Sequence, residues 1–332
     1  MARDSKMEII REGDLDEKLD YVKKKLLKGG IVAFPTETVY GLGAHAFDEK
    51  AVKKIFELKN RPPDNPLIVH INNLKMLGDL VEEIPSKAHL LMEKFWPGPL
   101  TLIFKRNKKV PAIVSAGLDT IAVRMPSHPI AKKLCDIPIA APSANKSTRP
   151  SPTTPEHVIE DFFKEDIVLI DGGKTEIGLE STVIDVVSGE ILRPGKIGIE
   201  ELKEWLPSVK IPSLSSPPQK KVKSPGMKYR HYSPKVPLIL SENLKRDIER
   251  HDGKRIGIIA NCERVRGGIG KKISTGFVRE YSSLEELAAN LFQWFRELEK
   301  ETDVILVEKV EERGIGVAIV NRLKKAASKV SS

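Results

Sequence analysis

The chain has 332 residues, 40% of them hydrophobic and 5% aromatic, and a formal net charge of +9. That length suits two ordinary domains around sizeable cores, and no apolar run approaches the roughly 20 residues needed to cross a bilayer. Cys135 and Cys262 form no CxxC and lie far apart, which excludes a disulfide framework and a thiolate metal site. The basic balance favours anionic partners such as nucleotides or RNA, and equally fits the ion-pair networks of heat-adapted surfaces. Residues 1–11 mix charges with few apolar side chains, unlike a signal peptide or anchor, so the expected location is the cytoplasm.

A helix is expected over 15–28, ended by Gly29 and Gly30, and then a short buried strand over 31–34 that stops at Pro35. Asp48 can cap a helix whose apolar positions Val52, Ile55, Phe56 and Leu58 recur at helical spacing. Pro62 and Pro63 force that helix to end by Arg61. A strand over 67–71, a helix over 86–95 and a strand over 100–104 come next. The runs 121–124, 137–141 and 167–170 read as strands, with helices near 130–134 and 155–163. Residues 182–193 form a hairpin turning at Ser188 and Gly189. The whole reads as an α/β or α+β domain with mixed strand directions over 10–206.

Composition then shifts. Residues 207–237 carry seven prolines and the basic cluster Lys220, Lys221 and Lys223, the mark of a semi-extended linker. Its SPGMKYRHYSP stretch at 224–234 is richer in hydrogen-bonding side chains than a spacer needs. From 238 to 332 strands (238–240, 256–260, 304–307) alternate with helices (284–301, 315–325), which predicts a small Rossmann-like domain with a parallel sheet.

No phosphate-binding loop of the G-x-x-x-x-G-K-[ST] type is present. The glycine-rich 267–272 fails its spacing and reads as a basic turn. Gly41 and Gly43 fit G-x-G-x-x-A, but the helix cap comes only at Asp48, too late for a dinucleotide fold. The segment PTETVYGLG at 35–43 instead places Thr36, Glu37, Thr38 and Tyr40 after a buried strand and before two glycines. It reads either as a polar turn or as ligand-binding groups at a strand end. Lys59 and Arg61, at a helix end, could grip a triphosphate or simply cap the helix. Arg124 at a strand end could pair with a substrate carboxylate. Ser143 and Asn145, and Ser181 before Thr182, repeat the pattern of small polar groups at strand termini. Ser143 lacks the G-x-S-x-G context of a hydrolase nucleophile. Several polar clusters at strand ends in one domain point to one concave site.

PTETVYGLG at 35–43, Lys59-Asn60-Arg61, Ser143-Ala144-Asn145 and STVID at 181–185, in this order, resemble the YrdC-like family. The proline-rich linker and the small C-terminal domain resemble its long, two-domain form. The resemblance implies a twisted mixed sheet with helices around a concave site. It implies synthesis of threonylcarbamoyl-AMP and pyrophosphate from L-threonine, bicarbonate (or CO2) and ATP, for tRNA N6-threonylcarbamoyladenosine. It assigns Lys59 and Arg61 to catalysis at the phosphates and carbonate. Arg61, Asn65, Thr120, Ser143, Asn145, Arg193 and Tyr232 would hold ATP, with Tyr232 closing from the linker as a lid. Thr38, His70, Arg124 and Ser181 would hold L-threonine, although His70 reads equally as a core histidine. Mg2+ would ride on the phosphate oxygens, with no metal ligand from the protein. A tRNA contact and a downstream threonylcarbamoyl transferase complex are the further expected partners, and no membrane is. Two other readings are open: a hydrogenase-maturation type carbamoyl transferase, whose CxxC pairs are absent here, and a non-catalytic tRNA or double-stranded RNA-binding module, which the few aromatics do not favour.

Overall fold

The computed structural model describes residues 6–210, 231–266 and 277–331, the last three by their backbone alone. The middle of the proline-rich stretch, including Lys220, Lys221, Lys223 and Ser224, and the glycine-rich turn at 267–272 lie outside the described residues.

The first domain opens with β1 (Glu8–Arg11), α1 (Leu15–Leu27), β2 (Val32–Phe34), β3 (Gly41–His45), α2 (Glu49–Lys59) and β4 (Ile68–His70). It continues through α3 (Leu77–Leu80), α4 (Ser86–Phe95), β5 (Leu100–Lys105), β6 (Thr120–Arg124), α5 (Pro129–Leu134) and β7 (Ile139–Ala140). α6 (Pro155–Phe162), β8 (Val168–Asp171), the hairpin β9 (Thr182–Asp185) and β10 (Glu190–Arg193), and α7 (Ile199–Trp205) complete it. Its strands form one mixed sheet, ordered β1-β8-β2-β3-β7-β4-β6-β5-β9-β10. Lys210 bridges back to Glu190 beside β10, so the domain holds its chain slightly past residue 206.

Local chemistry accounts for the element ends near the expected site. Asp48 accepts a 3.0 Å hydrogen bond from the Ala51 amide and caps α2. The same helix stops where Asn60 turns left-handed at φ 52°, a conformation asparagine tolerates better than most residues. Of the two readings open for 35–43, a turn does not extend to Gly41 and Gly43. They belong to β3, which pairs antiparallel with β2, Phe34 opposite Gly41 and Val32 opposite Gly43. A Cβ on Gly43 would come within 2.6 Å of Ile139 Cγ2 and 2.8 Å of the Phe34 ring. These glycines therefore make room for Phe34 and β7 rather than for a phosphate.

The second domain comprises β11 (Leu238–Ser241), α8 (Leu244–Glu249), β12 (Ile256–Asn261), α9 (Cys262–Arg264), β13 (Val278–Tyr281), α10 (Leu284–Glu301), β14 (Val304–Glu308), α11 (Ile315–Ala326) and β15 (Lys329–Ser331). Its sheet is parallel throughout, as the alternation predicts, in the order β13-β12-β14-β11-β15. Because β14 intervenes between β11 and β12, the order is not that of a dinucleotide-binding sheet.

The two domains share a buried seam. Leu179, from the first domain, sits in the apolar core formed by α10, α11 and β11. Among the described residues three arginines cross the seam to carboxylates: Arg149 to Glu299, Arg296 to Asp161 and Glu160, and Arg322 to Glu180. Stripping one partner from such a pair strands a buried charge, at a cost of about 3–5 kcal/mol.

The packing at β3 makes a direct prediction. Gly43→Ala should lower the unfolding free energy by about 1–3 kcal/mol through overpacking. Gly78→Ala, whose Cβ would meet nothing within 4 Å, should change it by no more than about 1 kcal/mol in either direction. Urea denaturation of both variants checks this; equal stability would contradict the packing role of Gly43.

Candidate functional site

Strand register assembles the site. His70 on β4 lies opposite Arg124 on β6, Arg124 opposite Thr101 on β5, Thr101 opposite Val183 on β9, and Val183 opposite Arg193 on β10. One row of residues therefore crosses β4, β6, β5 and the closing β9–β10 hairpin, and polar side chains occupy most of it. The Thr101 and Ser181 hydroxyls are 2.7 Å apart. Arg193 donates to the Ser181 carbonyl from Nε and to its Oγ from Nη2, both at 3.0 Å.

The segment at 35–43 closes one side. Arg124 Nη1 donates to Thr38 Oγ1 at 2.9 Å, its Nε donates to the Gly98 carbonyl at 3.2 Å, and its Nη2 lies 2.6 Å from Glu37 Oε1. A guanidinium can only donate, so Thr38 must accept from it. The Thr36 hydroxyl donates to the Val39 carbonyl, so in the 2.7 Å contact between the two threonine hydroxyls Thr38 is the donor. The chain of protons thus runs from Arg124 through Thr38 and Thr36 to a backbone carbonyl. Thr38 keeps one lone pair for a ligand donor. The Ile177 and Gly178 amides bond the Glu37 and Thr38 carbonyls, which ties this segment to the loop that leads to Ser181.

The resulting cleft is lined by Thr38, His70, Arg124 and Ser181 together with Arg61, Ser143, Arg193 and Tyr232. Arg61 follows the left-handed Asn60 and donates to the Asn65 and Pro66 carbonyls at 3.1–3.3 Å. Tyr232, itself left-handed at φ 68°, stacks on Phe292 of α10 with centroids 5.2 Å apart. The aromatic wall of the cleft therefore rests on the second domain.

The lining is strongly cationic. Burial, with Arg193 close by, lowers Arg61 to about 10, and burial likewise brings Arg193 to about 10. Both remain charged at neutral pH. Burial, then neighbouring Arg124, pushes His70 down to about 3, so this imidazole is neutral. Burial lifts the Tyr232 phenol to about 12.

Four expected contacts are placed elsewhere. Lys59 is buried beneath the cleft, donating to the Ser143 and Asn145 carbonyls, and burial followed by Arg61 drives its pKa well down. It anchors the loop that presents Ser143 and is not among the residues that line the cleft. Asn145 lies in the same layer, accepting from Ser143 Oγ at 2.5 Å and donating to the Lys146 and Arg149 carbonyls. Asn65 contributes its backbone carbonyl to Arg61, while its side-chain oxygen is buried without a partner among the described residues. Thr120 pairs with Lys105 at the far end of β6 from Arg124, about 13 Å away at ordinary strand rise, and does not line the cleft. Glu180, which does line it, was missed: its neighbours Ser181 and Thr182 carried the visible motif.

Comparison with known proteins agrees with this architecture. A family model for Sua5, YciO and YrdC proteins, described as "Telomere recombination", matches residues 24–195. One described as "Threonylcarbamoyl-AMP synthase, C-terminal domain" matches residues 197–328. A threonylcarbamoyl-AMP synthase of Pyrococcus abyssi is 45% identical over 96% of this chain and 96% of its own length. One of Bacillus subtilis is 42% identical over 91% and 90%. The crystal structure of P. abyssi Sua5 complexed with L-threonine superposes with a TM-score of 0.88 at 43% identity, covering 98% of this chain and 99% of the other.

His70 supplies a pH test. Its folded-state value near 3 lies below the ordinary 6.5, so the unfolded chain binds a proton that the folded chain refuses. Its contribution to stability is therefore complete above about pH 6.5 and is lost progressively as pH falls toward 3, at about 1.4 kcal/mol per pH unit. Buried His157, also lowered to about 3, adds a parallel slope. Urea midpoints between pH 7 and 4.5 should fall less steeply in His70→Asn than in the parent chain; identical slopes would contradict the assignment.

Proposed function

The chain belongs to the threonylcarbamoyl-AMP synthase family, and from that membership and the cationic cleft we propose that L-threonine, bicarbonate and ATP meet among the residues of the His70-to-Arg193 row. The observation that carries this reading is the juxtaposition of Arg124, Thr38 and Ser181 with Arg61 and Arg193. The first group suits a small zwitterion, and the second suits polyphosphate.

In this reading the threonine carboxylate takes Arg124, displacing part of its contact with Glu37. Thr38 Oγ1 accepts from the substrate ammonium with its remaining lone pair, and neutral His70 adds no competing charge. Ser181 orients the substrate from the opposite side. The threonine nitrogen bonds the carbon of bicarbonate with loss of water and a proton. A carbamate oxygen then bonds the α-phosphorus while the bond to the β-phosphate bridge breaks, and pyrophosphate leaves. No protein nucleophile is needed. The residues contribute alignment and charge neutralisation, which can lower a barrier by ~7–11 kcal/mol when reactants are held in attack geometry. Arg61 and Arg193 hold the triphosphate, Ser143 and Tyr232 hold the nucleoside, and Lys59 keeps the Ser143 loop in place.

Mg2+ enters with ATP in this reading. The cleft carboxylates, Glu37 and Glu180, are each engaged by an arginine, and no group of three or more His, Cys, Asp or Glu among the described residues could hold a metal. Such a donor set fits an ion carried on phosphate oxygens better than a protein cage. The product is a mixed anhydride, suited to consumption by a transferase acting on tRNA. Among the described residues no helix is long and apolar enough to cross a membrane, and the reading places the protein with its substrates in the cytoplasm.

Incubation with ATP, Mg2+, bicarbonate and labelled L-threonine should yield pyrophosphate and a threonine-bearing adenylate. Carbamoyl phosphate accepted in place of threonine and bicarbonate would sink the proposal. Arg124→Ala should raise the KM for threonine by about 10-fold to 100-fold, the worth of a charged hydrogen bond, while ATP affinity stays within about threefold. Equal loss of both would contradict the placement of Arg124.

A further inference from the structure

We propose that Arg322, carried by α11 of the second domain, is a positioning residue for the synthetic site: it clamps together the two backbone segments that present Ser181 and Arg193. The inference rests on the reading of the cleft given above.

Arg322 is fully buried, at 0% exposure, yet it does not line the cleft. Its Nε donates to Glu180 Oε2 at 3.0 Å, its Nη1 to the Pro194 carbonyl at 2.5 Å, and its Nη2 to the Glu180 carbonyl at 3.3 Å. Glu180 immediately precedes Ser181, and Pro194 immediately follows Arg193. One guanidinium therefore spans the two residues flanking the pair that meets in the cleft, and Arg193 bonds Ser181 directly above it. The other Glu180 oxygen accepts from Ser151 Oγ at 2.5 Å, so the carboxylate is fixed from both domains. Burial alone would raise that carboxyl, but Arg322 and Arg193 hold it below its ordinary value. The Arg322 guanidinium also lies 5.7 Å from the Tyr232 ring centroid, within cation–π range. Planarity matters here: lysine offers a point charge and cannot span three acceptors in one fork.

The Arg149–Glu299 pair at the seam provides the comparison. Glu299 takes Arg149 and the Lys235 amide, and neither residue lines the cleft. Its loss should weaken the seam near Arg149 while the Arg322 contacts that flank Ser181 and Arg193 stay in place.

Calorimetric titration of the full chain with L-threonine and with a non-hydrolysable ATP analogue, alongside steady-state synthesis, tests this. Arg322→Met fills the volume without the charge. It should weaken both ligands about tenfold or more, beyond Glu299→Gln at matched melting temperature, with a larger effect on KM than on kcat. Arg322→Lys, the safer variant for folding, should fall between Arg322→Met and the parent. Affinities in Arg322→Met, or in Arg322→Lys should the former not fold, that match Glu299→Gln within twofold would overturn the proposal and leave Arg322 a docking residue. Failure of the unsubstituted chain to bind threonine would instead refute the reading of the cleft, before any variant is compared.

Discussion

Crowding of buried positive charge is the constraint from which the rest of this structure follows. Arg61, Arg124, Arg193 and Arg322, with Lys59 beneath them, are all buried around one cleft. Two carboxylates, Glu37 and Glu180, line the same space. Guanidinium groups do not shed their protons at neutral pH, so burial and mutual repulsion must be met by carbonyl oxygens, those two carboxylates and an anionic ligand. Each cation is accordingly anchored on backbone carbonyls, of Gly98, Asn65, Pro66, Ser181, Pro194, Ser143 and Asn145. The anchoring fixes their directions before substrate arrives. That is the preorganisation a reaction between a carbamate and a triphosphate requires.

The two domains divide this labour unequally. The mixed sheet supplies the row from His70 to Arg193 and the segment at 35–43. The parallel domain contributes no residue to that row, but it supports the Tyr232 ring through Phe292 and meets Glu180 from below through Arg322. Leu179 buried in the second core and the close approach of Gly178 to the Ala288 carbonyl pass docking directly into the loop that carries Ser181. Separation of the domains would therefore disturb the site as well as the seam.

Much of this was legible in the chain. Helices over α2, α4 and α10, the β9–β10 hairpin and the parallel second sheet follow from apolar spacing, caps and turn residues, because each is decided within a few residues. Strand β3 was not. Gly41 and Gly43 look like a turn locally, and only the Phe34 ring and β7, brought by pairing, explain glycine there. Thr38, His70, Arg124 and Ser181 were legible as strand-end polar groups, while register, invisible in one dimension, decides that Thr120 falls at the wrong end. Lys59 and Asn145 lie one layer beneath the cleft lining, a depth that no local signal in the chain reports. Arg322 left one overlooked signal: it stands in the helical stripe Ile315, Ile319, Arg322, Ala326, where a charge demands a buried partner that local sequence does not name.

A crystal structure with L-threonine and a non-hydrolysable ATP analogue bound together tests the central claim, that one cation-lined cleft holds both substrates for attack. The threonine carboxylate should lie within hydrogen-bond distance of Arg124, and the phosphates on Arg61 and Arg193, with the threonine nitrogen turned toward the α-phosphate. A triphosphate bound outside this cleft, or a threonine whose carboxylate points away from Arg124, would contradict it.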